Sequence, residues 1–416
     1  MKKFMVAAFG SYATAVILIA GSPTTGPGGS TSSAMFTSPV VAATGASSKV
    51  AAGGSRKVLT DAQIAAMAPT RQAALLDPLR ALADALNEAG TSRGAVFTSV
   101  DIDANHDVVD LYLTSTKGAA GLVQSAKSAN PSIDTSLIRV HQAAHTKAAL
   151  DRAVVAYLAR PQPGSVYAVS PAPDGSGIQV ERSARHAKSA AWNTVKWHDR
   201  SPFIGGDVLT NGASHCTAGI PAVRKSDGRP VMVTAAHCFG VGQRIYTAAG
   251  TTWGWGNRRT GNYVGTVTSR TLTWDAEALI GAGNNADESD VNTWIPLTSV
   301  RYSYRGDFVC HSGARSASLG HSTPCGIKVT NADLWFPIGG HYSRGVEGVD
   351  VVHGWGSVNG DSGATVWAAT RNPRARQLRG IVSSGGQDGT TDQRRVDWTE
   401  AVDILNAYGL RLNPLK

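Results

Sequence analysis

The rhythm of apolar and polar positions changes twice along the chain. Positions 4–20 are apolar almost throughout behind Lys2 and Lys3, and a Gly/Ser/Thr/Pro-rich stretch follows over 21–46. From about residue 60 the apolar residues recur at helical spacing as far as Leu86. Thr60 and Gln63 precede them at capping-box spacing, and Gly90 stands where a helix would stop. Pro69 and Pro78 predict that this run divides into shorter helices. Alternating stretches at 96–102 and 108–113 predict a hairpin, and helical spacing returns at 119–129 and 146–159. Beyond about 190 the apolar runs are short, as at 231–234, 276–280 and 378–382, with Gly, Asn, Asp and Ser clusters between them. That pattern predicts an all-β sandwich or closed barrel, helical only at its end over 399–407. Regions 47–190 and 191–416 therefore read as a small α+β unit and a larger all-β unit.

Length and composition sharpen this picture. With 416 residues the chain has room for two to three folding units, each with its own core. All ten tryptophans, from Trp192 to Trp398, and all four cysteines lie after residue 190, which places a boundary near 185–195. The formal charge is +9, but its Lys and Arg are dispersed. Without a basic stripe or base-stacking motif, nucleic acid is not an expected partner. The apolar run at 4–20 is at the lower limit for a membrane span. Ser11, Tyr12 and Thr14 within it favour a cleaved secretory signal over an anchor, so residues 1–46 read as signal and linker and the product as extracellular.

Three places in the all-β unit carry chemistry. In Thr234-Ala235-Ala236-His237-Cys238 a histidine ends an apolar strand. In Gly360-Asp361-Ser362-Gly363, small neighbours leave a hydroxyl reachable, and a tight turn there can aim the Gly360 and Ser362 amides at one point. In Trp274-Asp275-Ala276-Glu277 an aspartate enters an alternating strand. A serine hydroxyl needs a base to take its proton, and the base needs a carboxylate to fix its tautomer. His237, Asp275 and Ser362 supply these groups. Asp287 and Asp290 are alternatives to Asp275, but their Asn/Asp/Glu/Ser surroundings read as an exposed polar loop. Taken singly, each motif also fits an ordinary core histidine or a glycine-rich hairpin. Ala364 in place of a glycine argues against an α/β-hydrolase nucleophile elbow. His141 and His145 are four apart, as zinc ligands on a helix are, but neither a glutamate between them nor a third ligand is evident. They read as helix-surface residues, and no metal site is expected.

Taken together, these motifs resemble the chymotrypsin-like serine proteases, and within them the secreted actinobacterial branch of streptogrisins and α-lytic protease. The order His237, Asp275, Ser362 is that family's order. Residues 383–386 resemble its cleft strand and residues 405–410 its closing helix. The resemblance spans about 195–416 and implies two six-stranded antiparallel β-barrels, trypsin-like, with a cleft between them. It implies His237 as general base then acid, Asp275 as its orienter, Ser362 as nucleophile, and the Gly360 and Ser362 amides as oxyanion donors. Ser384, Gly385 and Gly386 would bind substrate backbone as an added strand.

The resemblance also pairs Cys216 with Cys238 and Cys310 with Cys325, although four cysteines alone allow three connectivities. Such neighbours close loops of 22 and 15 positions, each worth about 3 kcal/mol on a chain-entropy model. A four-thiolate metal site is disfavoured, because no Cys-x-x-Cys spacing occurs. Many relatives carry a further cysteine pair, and neither 354–359 nor 387–392 has a cysteine here. The branch's usual arginine partner for Asp361 is replaced by His311, with Arg315 nearby, so one of these two is expected to pair with Asp361. Gly356 stands six before Ser362, where trypsin-like members have an acid. By the same resemblance 47–190 is a pro-region that assists folding, occupies the cleft and is cut away near 185–195; an independent domain is the alternative. The expectation is thus a secreted, monomeric serine endopeptidase acting on proteins or peptides, without a cofactor and with its own pro-region as partner. A protease-shaped binding protein that no longer turns over is the other reading.

Overall fold

In the computed structural model the described residues are 14–18, 58–161, 166–182, 193–195, 201–249, 252–254, 259–281, 286–290, 293–321, 323–386 and 393–413. The expected linker at 21–46, most of the boundary region and the loop at 387–392 lie outside them. No helix among the described residues is long and apolar enough to cross a membrane.

The N-terminal unit begins with the helix Asp61–Ala65. The Thr60 hydroxyl accepts the Gln63 amide at 3.2 Å, and the Gln63 side chain accepts the Thr60 amide at 2.9 Å, so the capping box forms. Pro69 then opens the helix Pro69–Ser92, where its missing N–H costs nothing. The run thus divides into two helices at Pro69, but Pro78 lies inside the second and does not divide it. An interior proline costs about 3 kcal/mol, while fully burying Leu76, Leu79, Leu82 and Leu86 returns about 1.5–3 kcal/mol each. Gly90 does not stop the helix either. A Cβ there would lie 2.2 Å from Cδ2 of Phe97, so its role is close packing.

Strands Phe97–Asp103 and Val108–Leu113 form the expected hairpin, and Ile138–Gln142 adds in parallel. Helices Ala119–Ala129 and Lys147–Leu158 complete the unit. His141 is on that third strand and His145 precedes the Thr146 cap, so neither is a helix-surface residue as the sequence suggested. Strand pairing sets His141 opposite Tyr112, on which its ring stacks, and its Nε2 lies 2.7 Å from Asp110 Oδ1. A further hairpin, Val166–Pro171 with Gly177–Arg182, is extended on its outer side by Thr14–Leu18, part of the apolar run read as a signal.

The all-β unit consists of two curled sheets. The first runs in the order Leu410–Leu412, Ile220–Arg224, Pro230–Ala235, Ala276–Ile280, Thr260–Thr271, Arg244–Ala248, Val208–Thr210, His215–Thr217. The last strand leads straight into Ile220–Arg224, so the chain itself brings the two ends together around Leu209, Met232, Ile245, Val264 and Leu279. The second sheet contains a closed ring of Phe308–His311, Ile327–Ile338, His341–Asp350, Arg395–Glu400, Arg376–Gly385 and Thr365–Ala369. It encloses Val309, Ile327, Val346, Val366, Val382 and Trp398. Outside the ring, Thr293–Val300 pairs with Arg376–Gly385 in parallel, a departure from the all-antiparallel expectation. The backbone of 286–290, read from sequence as a loop, is a strand paired to Thr293–Val300. A short helix, Ala314–Ser318, was not foreseen, and the C-terminal helix starts at Ala401 because Thr399 belongs to a barrel strand.

The N-terminal unit rests on the second barrel. Val169 pairs with Trp335 across the two sheets. The buried Arg80 guanidinium reaches into the barrel wall, giving Nε and Nη2 to Asp307 at 2.9 and 2.8 Å and Nη1 to the Ala369 carbonyl at 2.9 Å. A cavity of about 770 Å³ separates the two bodies elsewhere, with Asp84, Asp101, Arg301, Arg305 and Arg344 in its walls.

Candidate functional site

His237 follows the strand Pro230–Ala235, whose antiparallel register sets Ala235 opposite Ala276. Asp275 therefore arrives beside the residues that carry the imidazole, and its carbonyl accepts the Ala236 amide at 3.0 Å. One carboxylate oxygen accepts the His237 amide at 2.9 Å, and the other lies 2.8 Å from His237 Nδ1. Asp275 is fully buried and has φ +38°, a left-handed conformation costing about 1–2 kcal/mol for a residue with a Cβ. The disulfide Cys216–Cys238 ties the segment just after the histidine to the neighbouring strand His215–Thr217. Cys310 pairs with Cys325, so all four sulfurs are in disulfides and no thiolate is left to hold a metal.

Ser362 comes from the second barrel, on the loop before Thr365–Ala369. Its Oγ lies 2.9 Å from His237 Nε2. The fold thus brings together the three side chains singled out from sequence. Along the loop, the amides of Asp361, Gly363 and Ala364 donate to the carbonyls of Val358, Val382 and Asp361. The Gly360 and Ser362 amides have no such partner among the described residues. Gly360 has φ +106° and Gly363 φ +87°. A Cβ on Gly363 would meet Thr234 Oγ1 at 2.0 Å, so glycine alone fits between loop and strand.

Asp361 is fully buried, and among the described residues its hydrogen bonds go to neither His311 nor Arg315, contrary to that expectation. Its oxygens accept the Ser316 amide at 2.9 Å, the Ser316 hydroxyl at 2.5 Å and the Val358 amide at 3.0 Å. The short helix Ala314–Ser318 presents both Ser316 groups at once, and Trp355 Nε1 donates to the same hydroxyl at 2.8 Å. His311 is occupied by the Gly356 carbonyl at 2.6 Å, and Arg315 donates to Ser318. Three hydrogen bonds from Ser316 and Val358 thus offset this carboxylate. Nothing in the sequence marks Ser316, which is one of three serines in an unremarkable run.

Ser384 and Gly385 end the strand Arg376–Gly385. On one side they pair with Asp397 and Val396, and the Gly386 amide donates to Arg395 at 2.9 Å. On the other side Thr365–Ala369 pairs only as far as Ile381, so among the described residues the edge beyond Val382 is open beside Ser362. The hairpin tip borders the histidine, and a Cβ on Gly339 would lie 4.0 Å from His237 Cβ.

Two barrels with His237 and Asp275 on the first and Ser362 on the second define the chymotrypsin-like fold. No protein-family model and no curated protein matches the chain. Similar solved structures include a Nocardiopsis protease, at 21% identity over 51% of this chain and 98% of that one, with a TM-score of 0.38. Thermobifida fusca protease A is 18% identical over 50% of this chain and 97% of its own, at 0.39. A Cellulomonas bogoriensis chymotrypsin is 21% identical over 50% and 97%, at 0.37. What the site can do is read from its own geometry.

Proposed function

We propose that the chain is a secreted serine endopeptidase made as a precursor, with 47–190 as its pro-region. The observation that carries this reading is the unbroken line from Asp275 Oδ2 through His237 Nδ1 and Nε2 to Ser362 Oγ, at 2.8 and 2.9 Å. His237 Nε2 takes the Ser362 proton as Oγ attacks a substrate carbonyl, and Asp275 stabilises the imidazolium that results. The Gly360 and Ser362 amides, without a backbone partner among the described residues, receive the oxyanion, a contact whose loss typically costs about a hundredfold to a thousandfold in rate. His237 then returns the proton to the leaving amine, and a water hydrolyses the acyl group from Ser362 by the same route. The open edge at Ser384 to Gly386 holds the substrate as an added strand. Burial of Arg80 and the Val169–Trp335 pairing support a pro-region docked on the second barrel.

Labelling with a fluorophosphonate, followed by mass spectrometry, tests the reading. The adduct is expected on Ser362 of the wild type and is absent in Ser362→Ala. A folded wild-type protein that stays unlabelled would instead be a protease-shaped binding protein. N-terminal sequencing of the secreted product is expected to place the cut near 185–195.

A further inference from the structure

Glu277 is a buried acid for which the triad has no use. It lies two residues past Asp275, with Thr234 opposite it on one neighbouring strand and Arg270 opposite it on the other. It is fully buried, and neither carboxylate oxygen has a hydrogen-bond partner among the described residues. The cation facing it is Arg270, with Nε 3.7 Å from Oε2. Arg270 also gives its Nη2 to the carbonyl of Ala236. The peptide between Ala236 and His237 is therefore gripped from both sides. Its carbonyl is held by Arg270, and its N–H by Asp275 at 2.9 Å. Whatever moves Arg270 turns the peptide from which the imidazole hangs.

We propose that Glu277 and Arg270 are a positioning pair for the His237 imidazole, Glu277 acting through Arg270 on the peptide that joins Ala236 to His237. This rests on the hydrolytic reading of the triad. Among the described residues three charged or titratable groups bear on Glu277: Arg270 across the strand, Asp275 just ahead of its own strand, and Tyr408, whose hydroxyl donates to the Ala276 carbonyl at 2.6 Å. Burial pushes the Glu277 carboxyl up to about 8; Arg270 opposes this and Asp275 adds to it. Around neutral pH the carboxyl holds its proton and grips Arg270 weakly. In mildly alkaline solution it ionises, draws on Arg270 and adds negative charge behind Asp275, where the imidazolium must form.

The test is the rate constant for fluorophosphonate labelling of Ser362, followed across pH about 6–10. It needs no knowledge of the preferred substrate. Wild type is expected to rise in two steps, the second near 8 and roughly threefold, the worth of half a pKa unit of charge interaction. Glu277→Gln, an isosteric change, should lose the second step; Arg270→Gln, at a partly exposed position, should shrink it and move it to higher pH, because the cation that opposes the rise is gone; and Glu277→Asp should retain it. Circular dichroism establishes that each variant is folded. Profiles of both Gln variants superimposable on wild type overturn the pair while leaving the hydrolytic reading intact. A folded wild type that takes no label overturns both.

Discussion

The Thr217 hydroxyl donates to the Gly360 carbonyl at 2.8 Å, and so one side chain of the first barrel holds the nucleophile loop of the second. The same oxygen accepts the Ala314 amide at 3.2 Å, and the Thr217 backbone amide donates to the Ser362 carbonyl at 2.8 Å. Thr217 follows Cys216, whose disulfide fixes the histidine segment. Base and nucleophile thus share one anchoring strand, although they belong to different barrels.

Thr217→Val keeps the shape and the backbone bond but takes away the hydroxyl that donates to the Gly360 carbonyl and accepts from the Ala314 amide. Removing one partner of a buried hydrogen bond costs about 1–3 kcal/mol. Hydrolysis of a protein substrate is expected to fall roughly tenfold, with the thermal midpoint lowered by only a few degrees. A variant as fast as wild type would show that the loop holds its position without this bridge.

Arg80 is predicted to anchor the N-terminal unit. Removing one partner of a buried pair typically costs about 3–5 kcal/mol. Arg379 still faces Asp307 at 2.8 Å, which puts Arg80→Ala near the lower end. In a Ser362→Ala background, which prevents self-cleavage, denaturant titration of the full chain should show a loss of about 3 kcal/mol. An unchanged midpoint would mean that other contacts hold the unit.

Glu400 supplies a pH dependence. It is buried, and one oxygen accepts the Ser303 amide at 2.8 Å while the other has no partner among the described residues. Burial pushes its carboxyl from 4.5 up to about 8, with the Ser303 amide and Arg379 opposing the rise and Asp403 adding to it. Between these two values the folded chain keeps a proton that the unfolded chain has released. Stability therefore falls as pH rises through that window and levels off above it. Glu400→Gln should remove this slope, gaining on the order of a few kcal/mol over wild type at alkaline pH and little at acid pH. Parallel curves of stability against pH for the two proteins would contradict this.

Local rules carried far along this chain. The capping box at Thr60 and Gln63, the alternation at 108–113 and the helical spacing at 119–129 all mark elements found at those places, because neighbours within a turn or a strand set them. The motifs around His237, Asp275 and Ser362 stood out because each combines a residue type with a strand end or a tight turn. Pro78 misled because its local cost is outweighed by leucines that bury against distant residues. His141 misled because a four-residue spacing says nothing about which strand lies alongside.

By itself the sequence determined where many of the helices and strands lie and which cysteines, acids and imidazoles are at hand. Tertiary structure alone decided that Ser316 rather than His311 or Arg315 meets Asp361, that Thr217 bridges the barrels, and that Glu277 is buried behind Asp275 with Arg270 as its neighbouring cation. Those outcomes depend on closing two sheets upon themselves and against each other. Burial and hydrogen-bond partners are then set by residues far apart in the chain, and no local pattern records them.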